Sequence, residues 1–161
     1  MFKPLFELAE RREDGTLPHP VYVLCDDFAT GVPIDHFQDH ISIFRAKGIS
    51  VTMLIQSETQ LASIYRIDNA KTIINNCDTY IYLGGMDIIT AKAIAERMDC
   101  PYTDILNMEI SRELLFHRGR RPLCTKRYDL FHDPLYAECQ QTGKQTQLIV
   151  DNSDDVDLSL W

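Results

Sequence analysis

Asp26 and Asp27 close the stretch VYVLCDD, residues 21–27. Five residues suited to a buried strand run straight into two acids. Carboxylates at the carboxyl end of a parallel strand stand where open α/β sheets place their ligands. There they can hold Mg2+ and a water beside a phosphate, the Walker B arrangement of nucleotide hydrolases. A strand that leaves the core and meets water gives the same pattern, so the motif alone leaves both readings open. Gln56 ends the next apolar run, ISVTMLIQ (49–56). A glutamine on that edge can hydrogen-bond a γ-phosphate or the attacking water, or it can rest in solvent. Arg45 and Lys47 lie at the end of the intervening helix, where cations complement the negative end of the helix dipole. Arg45 in that place could also reach a neighbouring subunit's phosphate site as an arginine finger.

Two further clusters invite chemistry. Asp35, His36, Asp39 and His40 include two histidines four apart, a common metal-ligand spacing. HFQDH nevertheless lacks the glutamate that a zinc-protease helix needs after its first histidine, and Phe37 and Ile41 take the buried stripe. The histidines are expected on a solvated flank, without a metal. Arg118, Arg120, Arg121, Lys126 and Arg127 form a dense basic cluster. It could contact DNA phosphates, or it could be a solvated edge that resists strand pairing. The chain contains no GxxxxGK[ST] phosphate loop, no GxSxG and no CxxC.

The elements that would position these residues alternate. Residues 2–13 suit a short helix ending before the GTLPHP loop. Strand 21–26 precedes a helix over 34–47, whose Ile34, Phe37, Ile41 and Phe44 form a stripe at spacings of three and four. Gly48 stops it. Strand 49–56, nearly all apolar, reads as covered on both faces. Ser57 with Gln60 three residues later reads as a helix N-cap, with Leu61, Ile64 and Tyr65 inward. Further segments are a helix over 68–76, a strand over 79–83 and a helix over 87–98. Residues around Gly119 then read as a hairpin. Alternation of this kind implies a mainly parallel sheet with right-handed crossovers. Residues 137–161 read as a loose acidic tail, with a short strand possible at 146–150.

Composition sets the bounds. The 161 residues suffice for one domain with a real core. A formal net charge of −8 argues against broad nucleic-acid binding by the whole surface, though not against a local basic patch. The five cysteines form no CxxC pair, which fits a reducing compartment. No apolar run approaches the roughly 18 residues of a membrane span. A soluble, cytoplasmic chain is expected.

Four segments, VYVLCDDFATG, IFRAKGISVTMLIQSETQL, TIINNCDTYIYLGG and FHRGRRPLCTKRYDLFHDPLY, occur in the order seen in conjugative and type IV secretion coupling proteins. From about residue 5 to 136 the chain resembles the TraG/TraD family. The resemblance implies the carboxyl-terminal half of a RecA-like, P-loop NTPase-type three-layer motor domain over residues 1–136. Residues 137–161 would be a flexible tail. Intact members of the family are hexameric ATPases anchored at the inner face of the membrane. They use ATP and Mg2+ to deliver relaxase-bound single-stranded DNA to the secretion channel.

Carried over by position, Asp26 is the Walker B acid that holds Mg2+ through water, and Asp27 orients the attacking water. Gln56 matches the glutamine after the next strand, and Arg45 the arginine that acts across subunits. Asp27 stands where many relatives have glutamate, one methylene longer. The Walker A loop lies upstream of this region in the family, so the chain alone is expected to hold ATP weakly and hydrolyse it negligibly. The resemblance also implies a second reading, a non-catalytic module that binds a TraM-like relaxosome protein. The tail through Trp161 could contribute to such a contact, or serve only solubility.

Overall fold

The computed structural model describes residues 2–145. The strand expected at 146–150 and the acidic run DNSDDVD lie outside the described residues. Contacts divide the chain into two compact units, residues 1–126 and 127–161.

The first unit opens with helix α1 (Lys3–Glu10), which has proline in its first turn, where the missing N–H costs nothing. Strand β1 (Val21–Cys25) follows. The single helix expected over 34–47 is instead two short ones, α2 (Phe37–His40) and α3 (Phe44–Lys47). Ser42 explains the break. Its hydroxyl donates to the Asp39 carbonyl at 2.6 Å, a local bond that competes with the helical ladder, and the Ile43 N–H turns back to the His40 carbonyl. Gly48 then ends α3 in the left-handed conformation, φ 77°, which glycine adopts at no steric cost.

Strand β2 (Ile49–Met53) pairs with β1 in parallel, Val21 opposite Ile49 and Cys25 opposite Met53. Helix α4 (Glu58–Tyr65) starts at the expected cap, Ser57 Oγ accepting from the Gln60 N–H at 3.0 Å. Helix α5 (Ile67–Asn75), strand β3 (Thr79–Tyr82), helix α6 (Ile88–Met98) and helix α7 (Tyr102–Leu106) follow. Strands β4 (Arg112–His117) and β5 (Leu123–Lys126) form the expected hairpin. Strand β3 joins this hairpin, antiparallel to β4. The α/β class stands, and within the described residues the parallel ladder is the β1–β2 pair.

Two cores hold this unit. The first is aromatic. Phe2, Phe37 and Phe44 are buried, with Phe28 and Tyr65 rings stacked 5.4 Å apart beside Phe37. Leu61 and Ile73 complete it. Each such side chain contributes about 1.5–3 kcal/mol by leaving water. The second core joins Ala91, Ile94 and Ala95 of α6 to Ile105, Tyr82 and Leu114.

One expectation is corrected here. Strand β2 is not covered on both faces. Burial alternates along β1 and β2, and Tyr22 and Leu24 are 79% and 71% exposed. The two-stranded sheet carries its aromatic core on one side, and the described residues supply no second helical layer. Ser50 and Thr52, alternating with apolar neighbours, already carried this period-two signal.

In the second unit a 3-10 turn (Leu130–His132) leads into helix α8 (Pro134–Gln145). Residues 137–145, expected to be loose, are therefore helical. Asp133 is the reason: its Oδ1 accepts from the Leu135 N–H at 2.6 Å and the Tyr136 N–H at 3.3 Å. Proline suits the first helical position that follows such a cap.

Candidate functional site

The parallel register of β1 and β2 brings their carboxyl ends to one edge. The ladder continues past both strands: the Leu54 N–H donates to the Cys25 carbonyl, and the Phe28 N–H donates to the Leu54 carbonyl, both at 2.9 Å. Asp26, Asp27 and Gln56 therefore stand together at this edge, all exposed. The Asp26 Oδ1 accepts the Asp27 N–H at 3.0 Å, which leaves its second oxygen available. Asp27 has φ 47°, a left-handed conformation that aspartate tolerates better than most residues. Its carbonyl accepts both the N–H and the hydroxyl of Thr30, at 2.9 and 2.7 Å. The turn thus fixes the backbone of Asp27. Among the described residues, the Asp27 carboxylate and the Gln56 amide make no hydrogen bond.

Arg45 is elsewhere. It lies exposed in α3, immediately before β2 begins. The two edges are separated by five residues of strand, roughly 16 Å at about 3.3 Å per residue. The structure thus does not bring Arg45 to the acids of its own chain.

The histidine group makes a weak local contact, His36 Nδ1 lying 3.3 Å from Asp39 Oδ2. The His40 ring lies against Phe6, at 5.1 Å between centroids. No three ligating side chains among the described residues converge to hold a metal. A magnesium ion bound with a nucleotide asks for less, because one or two carboxylates suffice when phosphates and waters complete the shell. The free oxygens of Asp26 and Asp27 meet that demand. The described residues offer no phosphate loop beside them.

The basic cluster divides. Arg118, Arg120 and Arg121 sit at the β4–β5 turn, Lys126 lies opposite Arg112 on the hairpin, and Arg127 begins the second unit. Arg118 pairs with Asp78 at 3.1 Å and donates to the Asn75 carbonyl at 2.9 Å. This turn lies at the beginning of β3, and not at its carboxyl end.

Sequence reasoning passed over a clamp at that carboxyl end. Asp87 caps α6, accepting from the Thr90 N–H at 2.9 Å, the Thr90 hydroxyl at 2.5 Å and the Thr59 hydroxyl at 2.7 Å. The Thr90 hydroxyl accepts the Glu58 N–H at 3.0 Å. The Thr90 and Thr59 hydroxyls hold the Asp87 carboxyl below its ordinary range. Beside the clamp, Arg97 pairs with Glu58 at 3.1 Å and covers the Tyr80 ring at 4.9 Å. Burial, with the nearby Glu58 carboxylate, raises the Tyr80 phenol well above its usual range. This network ties the loop after Gln56 to α6. Its readable signal was Asp87 followed three residues later by Thr90.

Comparison with known proteins adds three findings. Residues 20–99 match the family described as the TraM recognition site of TraD and TraG. The fold is similar to the unbound bacterial conjugative coupling protein TrwBdeltaN70, with a TM-score of 0.62 and 17% identity. That match covers 70% of this chain and 33% of the other. The plasmid coupling protein TrwB in complex with a non-hydrolysable ATP analogue matches with a TM-score of 0.61 and 18% identity, over 68% of this chain and 30% of that one. TrwB in complex with ADP and Mg2+ matches with a TM-score of 0.61 and 17% identity, again over 68% and 30%. The chain spans about a third of the length of these structures. No curated protein matches it.

Proposed function

The chain belongs to the TraG/TraD family of conjugative coupling proteins, and we propose that residues 1–136 act as the Walker B half of an ATP-driven motor. The motor would deliver relaxase-bound single-stranded DNA to a secretion channel. One observation carries the reading: Asp26, Asp27 and Gln56 share the carboxyl edge of β1 and β2, and among the described residues the second oxygen of Asp26, the Asp27 carboxylate and the Gln56 amide take no hydrogen bond. Asp26 is assigned to water-bridged Mg2+, which would offset charge on the phosphates when bound. Asp27 orients the attacking water, and Gln56 hydrogen-bonds the water or the γ-phosphate. Placement of Arg45 at the far edge supports action on the next copy of a ring, a homo-hexamer on this reading. The phosphate loop must come from residues outside this chain.

The test is ATP turnover by the native protein, captured from its source cell with an antibody against residues 34–47. The expected results are turnover lost in Asp26→Asn and negligible turnover by the isolated 161-residue chain. Undiminished hydrolysis by Asp26→Asn would remove the assignment.

The family description favours a second reading, a module that binds a TraM-like relaxosome protein without catalysis. Pull-down of relaxosome proteins with and without residues 151–161 checks it. Retention only by the complete chain would place that contact on the tail. Localisation follows the intact motor: cytoplasmic, at a membrane. No helix among the described residues is long and apolar enough to cross one.

A further inference from the structure

We propose that Thr59, Asp87 and Thr90 are positioning residues for Gln56, tying the loop that carries it to helix α6. The inference deepens the reading above and rests on it for Gln56 meeting the attacking water or the γ-phosphate.

Gln56 is exposed, and its amide makes no hydrogen bond among the described residues. Its place is set by the backbone on either side. Two residues before it, Leu54 is held to β1, donating to the Cys25 carbonyl and accepting from the Phe28 N–H. Two residues after it, Glu58 gives its N–H to the Thr90 hydroxyl at 3.0 Å. The next residue, Thr59, donates its hydroxyl to Asp87 Oδ2 at 2.7 Å. Thr90 donates both its N–H and its hydroxyl to that same oxygen. Gln56 thus lies between two fixed points. One is the ladder to the strand that ends in Asp26 and Asp27, and the other is the clamp on α6. The second point is firm: Thr90 is 4% exposed, and Ala91 and Ile94 of the same helix are fully buried in the second core.

Helix capping alone does not account for the clamp. Helix α4 starts on its own cap, Ser57 with the Gln60 N–H. Helix α6 starts on its own, Asp87 with the Thr90 N–H. The bonds from Glu58 to Thr90 and from Thr59 to Asp87 run between the two helix starts, and neither cap requires them. Thr59 is exposed, so water would satisfy its hydroxyl equally well.

What these bonds add is a fixed distance from α6 to the end of the Gln56 loop. Phosphoryl transfer depends on placement of the reacting groups. A shift of about 1 Å in a positioned group can cost roughly a hundredfold in rate. A side chain that makes no contact of its own is the one most exposed to slack in its backbone.

The experiment uses Thr59→Val, which removes the hydroxyl, keeps the shape and leaves Asp87 bonded to Thr90. In the native protein, kcat for ATP is expected to fall about tenfold with KM unchanged, the mark of an interaction made in the transition state. Thr59→Ser should restore it. Added to Gln56→Ala, Thr59→Val should have no further effect, because the two residues act as one. A second readout needs no nucleotide: amide hydrogen exchange in the 161-residue chain. Thr59→Val should speed exchange over residues 55–58 severalfold and leave α6 unchanged. The proposal is overturned if Thr59→Val keeps the parent's kcat, raises KM alone, or lowers kcat by the same factor with Gln56→Ala as without it. Exchange that quickens along α6 as much as in the loop also overturns it, since that is a purely structural role. Asp26→Asn in the same assay separates the two claims. Turnover lost in Asp26→Asn but untouched in Thr59→Val overturns this proposal alone. Turnover kept in Asp26→Asn, or absent from the native protein, overturns both.

Discussion

Two strands of this chain run into acids, and the acids meet different fates. At the end of β3, Asp87 takes three hydrogen bonds from Thr90 and Thr59 and knits α4 to α6. At the end of β1, Asp26 takes one bond from its neighbour's N–H. The Asp27 carboxylate takes none among the described residues. An acid after a strand is thus not by itself a site. What separates the two cases is how far the fold has used the carboxylate's lone pairs: Asp87 is engaged three times, whereas among the described residues Asp26 keeps one oxygen and Asp27 both.

The largest effect expected from this contrast is on stability at β3. Asp87→Ala removes a helix cap and the tie to Thr59, and should cost about 1–2 kcal/mol in urea denaturation. A loss within experimental error would mean that the clamp holds nothing. Acid sharpens the same point. Because the Asp87 carboxyl lies below its ordinary range in the fold, its contribution is complete above the unfolded value, about 3.9. It is lost as pH falls through the folded value. Asp87→Asn should therefore flatten the acid limb of the stability curve, and an unchanged limb would assign that limb to other groups. The smallest effect is expected at β1. Asp26→Asn should leave stability within about 0.5 kcal/mol, and a larger loss in the same denaturation would make Asp26 a structural residue like Asp87.

Much of this arrangement could be read from residue types. Ser57 with Gln60, Gly48 after Lys47, and the hairpin around Gly119 are local signals, and local physics was enough for them. The stripe of Phe37 and Phe44 located the aromatic core, although Ser42 broke the helix that carried it. Coverage of the β1–β2 sheet was harder to read, because it depends on what packs against the strands and not on the strands alone. The placement of Asp26, Asp27 and Gln56 on one edge followed once the two strands were taken as parallel. The clamp at Asp87 joins residues about 30 positions apart, Thr59 to Asp87, and no spacing rule connects such a pair. The basic cluster was half legible: the turn arginines stood out, but the pairing of Arg118 with Asp78 is a tertiary contact. The helical start of the tail was written in Asp133-Pro134, a cap that the acidic residues further on obscured.

The most direct measurement is ATP turnover by the native protein carrying Asp26→Asn, made at a temperature where its melting curve matches the parent's. The account predicts that hydrolysis is lost while the fold is intact. Hydrolysis that persists, or disappears only together with the fold, would contradict the claim that the β1 edge is kept free for nucleotide chemistry.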